Sequence, residues 1–234
     1  MAKMVGLNLV IKLSWMKKAV SLLPENLSEI EYRKELDEHL AFEIDSPTNR
    51  RKAREIMMRV WYKDSEGVEK LQRKGRELIQ KYPDELTTIG WCMIPLAYPV
   101  FADYAKLMGK MFEFQDVITT TQIKQKMFDQ LGERNIIEFA TSKVISTMKE
   151  MQVVRSIRVG KHEAVVKIIT NEEIIAFILE VAMFLDNSSY YAFSALSEFA
   201  FLFPFKFKVT KEQLMQDDRF IMSTFDSVPS VSLR

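Results

Sequence analysis

The sequence predicts a mainly α protein that carries one small β-hairpin. Only seven glycines and seven prolines interrupt 234 residues, too few breakers for a sandwich of short strands. Apolar residues recur three and four apart along most of the chain, the period of helices with one buried face. Two β-branched runs, VRSIRV and AVVKII, flank Gly160-Lys161-His162-Glu163, a hairpin signal. With 47% apolar and 28% charged residues, the chain has material for a real core and is not of disordered composition.

Residues 7–23 read as a first helix. Residues 25–45 hold eight acids and two bases, a local charge of −6, with Ile30, Leu36, Leu40 and Phe42 as an apolar stripe. This is the pattern of an amphipathic helix with a solvated acidic face. The next helix has the clearest start in the chain. Asp45 or Ser46 can cap it and Pro47 suits its first turn. Ala53, Ile56, Met57, Val60 and Trp61 then form one buried stripe. Residues 46–63 carry six bases and one acid, a local charge of +5.

Residues 66–82 form another expected helix, ended by Pro83. Residues 84–115 are apolar and helical, with a break near Pro95 or Pro99. Residues 119–132 (TTTQIKQKMFDQLG) place Ile123, Met127, Phe128 and Leu131 on one face behind threonine caps, with Gly132 as a stop. A short link holding Ile136, Ile137 and Phe139 leads to a helix at 141–154, which buries Val144, Ile145, Met148 and Met151. The hairpin follows. Ile174–Leu185 is twelve residues long and contains Glu180, so it is a core helix and falls well short of the ~20 apolar residues of a membrane span. Residues 171–205 hold five acids, nine aromatics and neither Lys nor Arg. The tail, 206–234, returns to mixed charge and ends in a strand-like VPSVSL.

Helix, short link, helix and hairpin is the order of a winged helix. A weaker echo of it, helix then Ser/Thr-started basic helix, occurs at 30–62, so the fold class is mainly α with helix-turn-helix/winged-helix-like units and a small hairpin wing. Three domains are expected: an N-terminal helical domain at 1–90 with its basic helix at 46–63, a winged-helix-like domain at 91–170, and a C-terminal helical acidic and aromatic segment at 171–234.

Net charge, +1, favours no partner; its distribution does. The outer face of the 141–154 helix presents Ser142, Lys143, Ser146, Thr147 and Lys149. The hairpin presents Arg155, Arg158, Lys161 and Lys167. Residues 140–167 total +4. Such a helix can enter a DNA major groove about 12 Å wide while wing cations meet phosphate; the same charges can equally form a solvated face. At 46–54, the free N–H groups of a helix start favour phosphate, and Thr48, Asn49, Arg50, Arg51 and Arg54 add donors. Thr121 does the same in the 119–132 helix. The competing reading pairs the basic helix with the acidic helix just before it.

Catalytic signals are weak. His39 and His162 are the two histidines and lie far apart. No GxGxxG, GxxxxGK[ST] or GxSxG string occurs. Glu180 and Glu198 stand in apolar settings, where each is expected to face water or meet a base. Cys92 is the one cysteine, expected as a buried inert thiol in a reducing compartment. The N-terminal run MAKMVGLNLVIKLSW is broken by Lys12 and has no small-residue cleavage site, so it does not read as a signal peptide. Together these give an expectation of a cytoplasmic, non-enzymatic protein with no cofactor, no metal and no membrane contact.

The segments SPTNRRKAREIMMRVW (46–61) and ATSKVISTMKEMQVV (140–154) resemble the two Ser/Thr-started helices of the BrxA family of bacteriophage-exclusion (BREX) defence systems. WCMIPLAYPVFADYAKLMGKMFEF (91–114) and DVITTTQIKQKMFDQLG (116–132) are similar to that family's apolar middle and the segment after it. The resemblance covers roughly residues 8–155. It implies a helical, non-enzymatic accessory protein that binds double-stranded DNA and works with other defence-system proteins, among them a methyltransferase and ATPases. The implied contact residues are Thr48, Arg50, Arg51 and Arg54 in the first helix and Ser142 and Lys143 in the second. An adaptor within a multi-subunit defence complex, without DNA contact, is the alternative.

Overall fold

A computed structural model describes residues 6–133, 135–225 and 227–234. Residues 1–5, the start of the segment tested above for a leader, lie outside the described residues. The protein is mainly helical, with small sheets added in the C-terminal half. It divides into two compact units. One holds the described chain up to Phe101 together with Met127–Gln152; the other holds Ala102–Lys126 and Val153–Arg234.

In the first unit, α1 (Leu13–Ser21) buries Trp15, Met16 and Ala19. It starts later than the sequence pattern implies. In α2 (Glu29–Ala41), Ser28 and Glu31 form a capping box, so two orphan N–H groups are satisfied reciprocally. Its buried stripe is Tyr32, Leu36 and Leu40, whereas Ile30 is 81% and Phe42 92% exposed. The expectation for Ile30 and Phe42 is therefore corrected: the i, i+4, i+8 row through Tyr32 faces the core. The basic α3 (Pro47–Met57) starts at Ser46, whose Oγ accepts the Asn49 N–H at 3.4 Å. It runs on into a π-helical turn at Met58–Tyr62. Ala53, Ile56, Met57, Val60 and Trp61 are all buried.

Beyond them, α4 (Glu69–Lys81) and α5 (Leu86–Ala97) lead to α6 (Pro99–Phe112). Pro95 is accommodated inside α5, and the break falls at Tyr98-Pro99. The apolar middle forms a buried core with Trp91 and Phe101 edge to face at 5.1 Å.

A short strand, β1 (Ile118–Thr119), precedes α7 (Thr120–Leu131). Thr119 and Gln122 close a second capping box, with N–H bonds of 2.8 and 3.1 Å. The next helix, α8 (Asn135–Glu150), absorbs the link expected at 133–140. Thr141 does not start it. Thr141 sits mid-helix and donates its hydroxyl back to the Ile137 carbonyl at 2.8 Å, the i−4 bond open to Thr inside a helix. Ile137 and Ala140 are buried, which extends the apolar face through what reads as a link.

In the second unit, β2 (Val154–Arg158) and β3 (Lys161–Ala164) form the expected hairpin, with β1 pairing on the other edge of β3 to give the order β1-β3-β2. Then come β4 (Lys167–Ile168) and α9 (Glu172–Asp186), the expected core helix, capped by Asn171. After α9 the expectation of a helical tail is corrected. Among the described residues, only α10 (Lys211–Met215) is α-helical there. The rest consists of β5 (Tyr191–Ala192), two 3-10 turns, β6 (Phe205–Lys206), β7 (Phe220–Phe225) and β8 (Val228–Leu233), in sheets ordered β4-β6 and β5-β8-β7. Glu180 meets a base from this tail: Arg219 Nη1 lies 2.9 Å from Glu180 Oε2, while its Nε and Nη2 hold Asp217. Among the described residues no helix is long and apolar enough to cross a membrane.

Candidate functional site

The candidate donors fall on α3, α7, α8 and the β2–β3 hairpin. On α3 the acidic helix answers part of the basic one. Arg54 forms ion pairs with Asp37 and Glu55. Arg33 of α2 reaches across to Glu55 and also holds Glu29, and Lys63 joins Glu29 at 2.9 Å. Burial raises the Glu55 carboxyl, but the Arg33 and Arg54 hydrogen bonds and charges outweigh it and hold the group below its ordinary range. Lys63 and then Arg33 do the same for Glu29.

Arg50 points inward. Its Nε donates to the Ile44 carbonyl at 3.3 Å and its Nη2 to that of Asp45 at 3.4 Å. It thus fastens the α2–α3 turn instead of reaching into solvent. Thr48, Asn49 and Arg51 are exposed on the opening turn, with Lys52 beside them. Among the described residues no carboxylate pairs with Arg51 or Lys52. The candidate set for α3 is therefore Thr48, Asn49 and Arg51, with Lys52 added. Lys52 counts toward the local charge of the segment, but only its exposure marks it out.

On α7, Thr121 is exposed. On α8, Ser142 and Lys149 are exposed and Lys143 and Ser146 half-buried. Because α8 begins at Asn135, Ser142 and Lys143 lie in its middle turns, away from the partial positive charge of a helix start. The free N–H groups of an α8 start cannot serve them.

The hairpin has the most distinctive electrostatics. Arg155 opposes Glu163 across the strands and pairs with it. His162 is 4% exposed, with Thr120 Oγ1 2.8 Å from its Nε2 and Ser156 Oγ 3.2 Å from its Nδ1; it serves the sheet. The last cross-strand pair is Arg158 with Lys161, which closes a two-residue turn of Val159 and Gly160. Gly160 adopts φ +69° there, a conformation glycine takes without penalty. Both cations are exposed, and among the described residues no carboxylate pairs with either. Val159 stands fully exposed at the tip.

Compared with known protein families, curated proteins and solved structures, the chain matches none. Among the described residues there is no group of three or more His, Cys, Asp or Glu placed to hold a metal ion.

Proposed function

We propose that this chain is a non-enzymatic, double-stranded DNA-binding accessory protein of a BREX-like phage-defence system. The observation that carries the reading is the Arg158–Lys161 pair. Like charges directly opposite each other in a sheet are unfavourable. A hairpin that closes on two exposed cations and lacks a carboxylate to quench them is suited to a polyanion. The element order β1, α7, α8, β2, β3 and the sheet order β1-β3-β2 support this reading, since a winged helix with the hairpin as its wing would have that order. Arg51 and Lys52 at the exposed start of α3 supply a second group of phosphate contacts.

The test is titration of a fluorescent duplex with the intact protein at several salt concentrations. Binding at about 50 mM salt, weakening by a slope of roughly −0.9 per phosphate contact in a log–log plot, is the expected result. No binding at that salt, the most favourable condition, overturns the reading.

One observation favours a second reading, an adaptor within a multi-subunit defence complex. Arg54 and Arg33 spend their charge on Asp37, Glu55 and Glu29, which leaves α3 less basic than its sequence. Arg51→Glu with Lys52→Glu separates the two: DNA affinity falls under the first reading, and only protein capture changes under the second.

A further inference from the structure

The second unit contains a groove of about 1020 Å³, at the top of the roughly 300–1,000 Å³ range of small-molecule clefts. The last turn of α6, the end of β3 and the segment around the Ala200–Leu202 turn contribute its walls. Much of the lining is apolar. Phe112 and Phe203 have ring centroids 5.3 Å apart. Leu202 and Phe205 are buried, whereas Val166 is 50% exposed. Phe114, between the wall residues Glu113 and Asp116, is 88% exposed. Large exposed apolar side chains gathered beside a groove mark an interaction site. The walls are also fixed against each other. At Gly109, α6 and the Ala200 turn approach so closely that no side chain fits between them. A pre-formed groove spares a partner the cost of ordering it.

The charge in these walls has one prevailing sign. Glu113, Asp116, Glu163 and Glu198 are set against Lys206, the one base among the described wall residues. Glu163 is answered by Arg155. Glu113, Asp116 and Glu198 are exposed, and among the described residues no base pairs with any of them. Because α6 ends here, the partial negative charge of a helix C-terminus adds to theirs. Such a groove repels a polyanion, so it is no extension of the basic hairpin surface. It attracts ammonium and guanidinium groups, and a guanidinium can also stack on aromatic faces. Its volume leaves room for several side chains.

We propose that this groove docks a basic peptide segment of a partner protein, one that combines Arg or Lys with apolar side chains. The cations pair with Glu113, Asp116 and Glu198, and the apolar side chains lie against Phe112, Phe199 and Val166. The proposal does not depend on DNA binding.

The experiment is a fluorescence anisotropy titration of a labelled Arg-Leu-Arg-Leu-Arg peptide with the intact protein at about 50 mM salt, where exposed charges are only modestly screened. Saturable binding is the expected result, with an Arg-Gly-Arg-Gly-Arg peptide at least tenfold weaker. Glu113→Gln with Glu198→Gln should weaken binding of the Arg-Leu peptide at least tenfold. Val166→Lys, which puts a cation into the wall, should do the same. Glu66→Gln with Glu133→Gln removes equal charge from exposed sites in the first unit and should change affinity less than twofold. Thermal melts check that each variant is folded. Absence of saturable binding overturns the proposal. So does equal affinity for the Arg-Gly peptide, which leaves charge alone at work, or an equal loss in the Glu66 and Glu133 variant. Self-association of the protein alone, abolished by the Glu113 and Glu198 substitutions, gives the groove to a second copy and overturns it as well.

Discussion

Thr120 Oγ1 lies 2.8 Å from His162 Nε2, and Ser156 Oγ contacts the other ring nitrogen at 3.2 Å. The imidazole therefore links the first residue of α7 to the central strand β3 and, through Ser156, to β2. It is 96% removed from solvent, so replacing it leaves a void and takes a partner from the half-buried Thr120 hydroxyl, whereas Ser156 is exposed and can turn to water.

His162→Ala should cost about 2–4 kcal/mol, chiefly through lost packing, with the lost Thr120 hydrogen bond added. The check is the urea unfolding midpoint. A change within about 0.5 kcal/mol, the usual range for surface positions, would show that the ring does not hold the sheet together.

The hairpin charges make a separate prediction. Arg158→Gln with Lys161→Gln removes a like-charge pair from an exposed turn, so stability should stay level or rise slightly. Duplex affinity should fall, and the salt slope should shrink by roughly 1.8 if each cation contacts one phosphate. Equal salt slopes for variant and wild type would exclude the hairpin from the DNA contact.

Arg54 and Arg51 are only three residues apart yet should behave oppositely. Arg54 is three-quarters or more buried and paired with Asp37 and Glu55, so Arg54→Gln should lower stability, by about 1–3 kcal/mol. Arg51→Gln should leave stability unchanged and weaken duplex binding. Thermal melts and a binding titration of the two variants check both halves. Equal melting points would mean that the α2–α3 ion pairs contribute nothing measurable.

These contrasts also show how much was legible in the chain. Stripes such as Ala53 to Trp61 and Val144 to Met151 announce their helices because one face repeats every three to four residues. The hairpin is equally plain from its β-branched runs and Gly160. Less accessible were features set by tertiary contact. Ile30 and Phe42 are apolar but exposed, since Tyr32 takes the core position. Thr141 resembles a cap but bonds back within α8. Between Tyr191 and Lys206 the chain forms short strands and 3-10 turns although its aromatic content also suits helix, because two-residue pairings such as Tyr191 with Val231 have no local signature. At the candidate site, the bases are visible in sequence, but which of them meet acids is not. Arg54 turns to Asp37, seventeen residues upstream, while Arg51 on the same helix stays in solvent.

Asp64 gives a prediction for acid. Burial raises its carboxyl, but hydrogen bonds and charge from Arg76 and Arg73 prevail and depress it below the ordinary value. A depressed carboxylate stabilises the fold above its unfolded pKa, about 3.9, and that contribution is lost as pH falls through the lower folded value. Stability should therefore drop between about pH 5 and pH 2. Asp64→Asn should show a lower plateau near neutrality and a flatter decline, read from urea midpoints across that range. Identical pH profiles would remove the Asp64 network from the acid response.

Gly109 and Ala200 approach so closely that a Cβ on Gly109 would overlap the Ala200 carbonyl oxygen and its carbon. The obstacle is backbone, in the 3-10 turn at Ala200–Leu202, and backbone cannot rotate away as a side chain can. In an open helix Gly→Ala is favourable by nearly 1 kcal/mol. Here overpacking against a fixed carbonyl should reverse the sign and destabilise by about 1–3 kcal/mol or more. The control is Gly67→Ala, where no atom lies within 4 Å but φ is +82°, so its cost is one of backbone conformation alone, about 1 kcal/mol. Differential scanning calorimetry of the two variants decides the matter. If Gly109→Ala melts at or above the wild-type temperature, α6 and the Ala200 turn do not pack at this distance in solution.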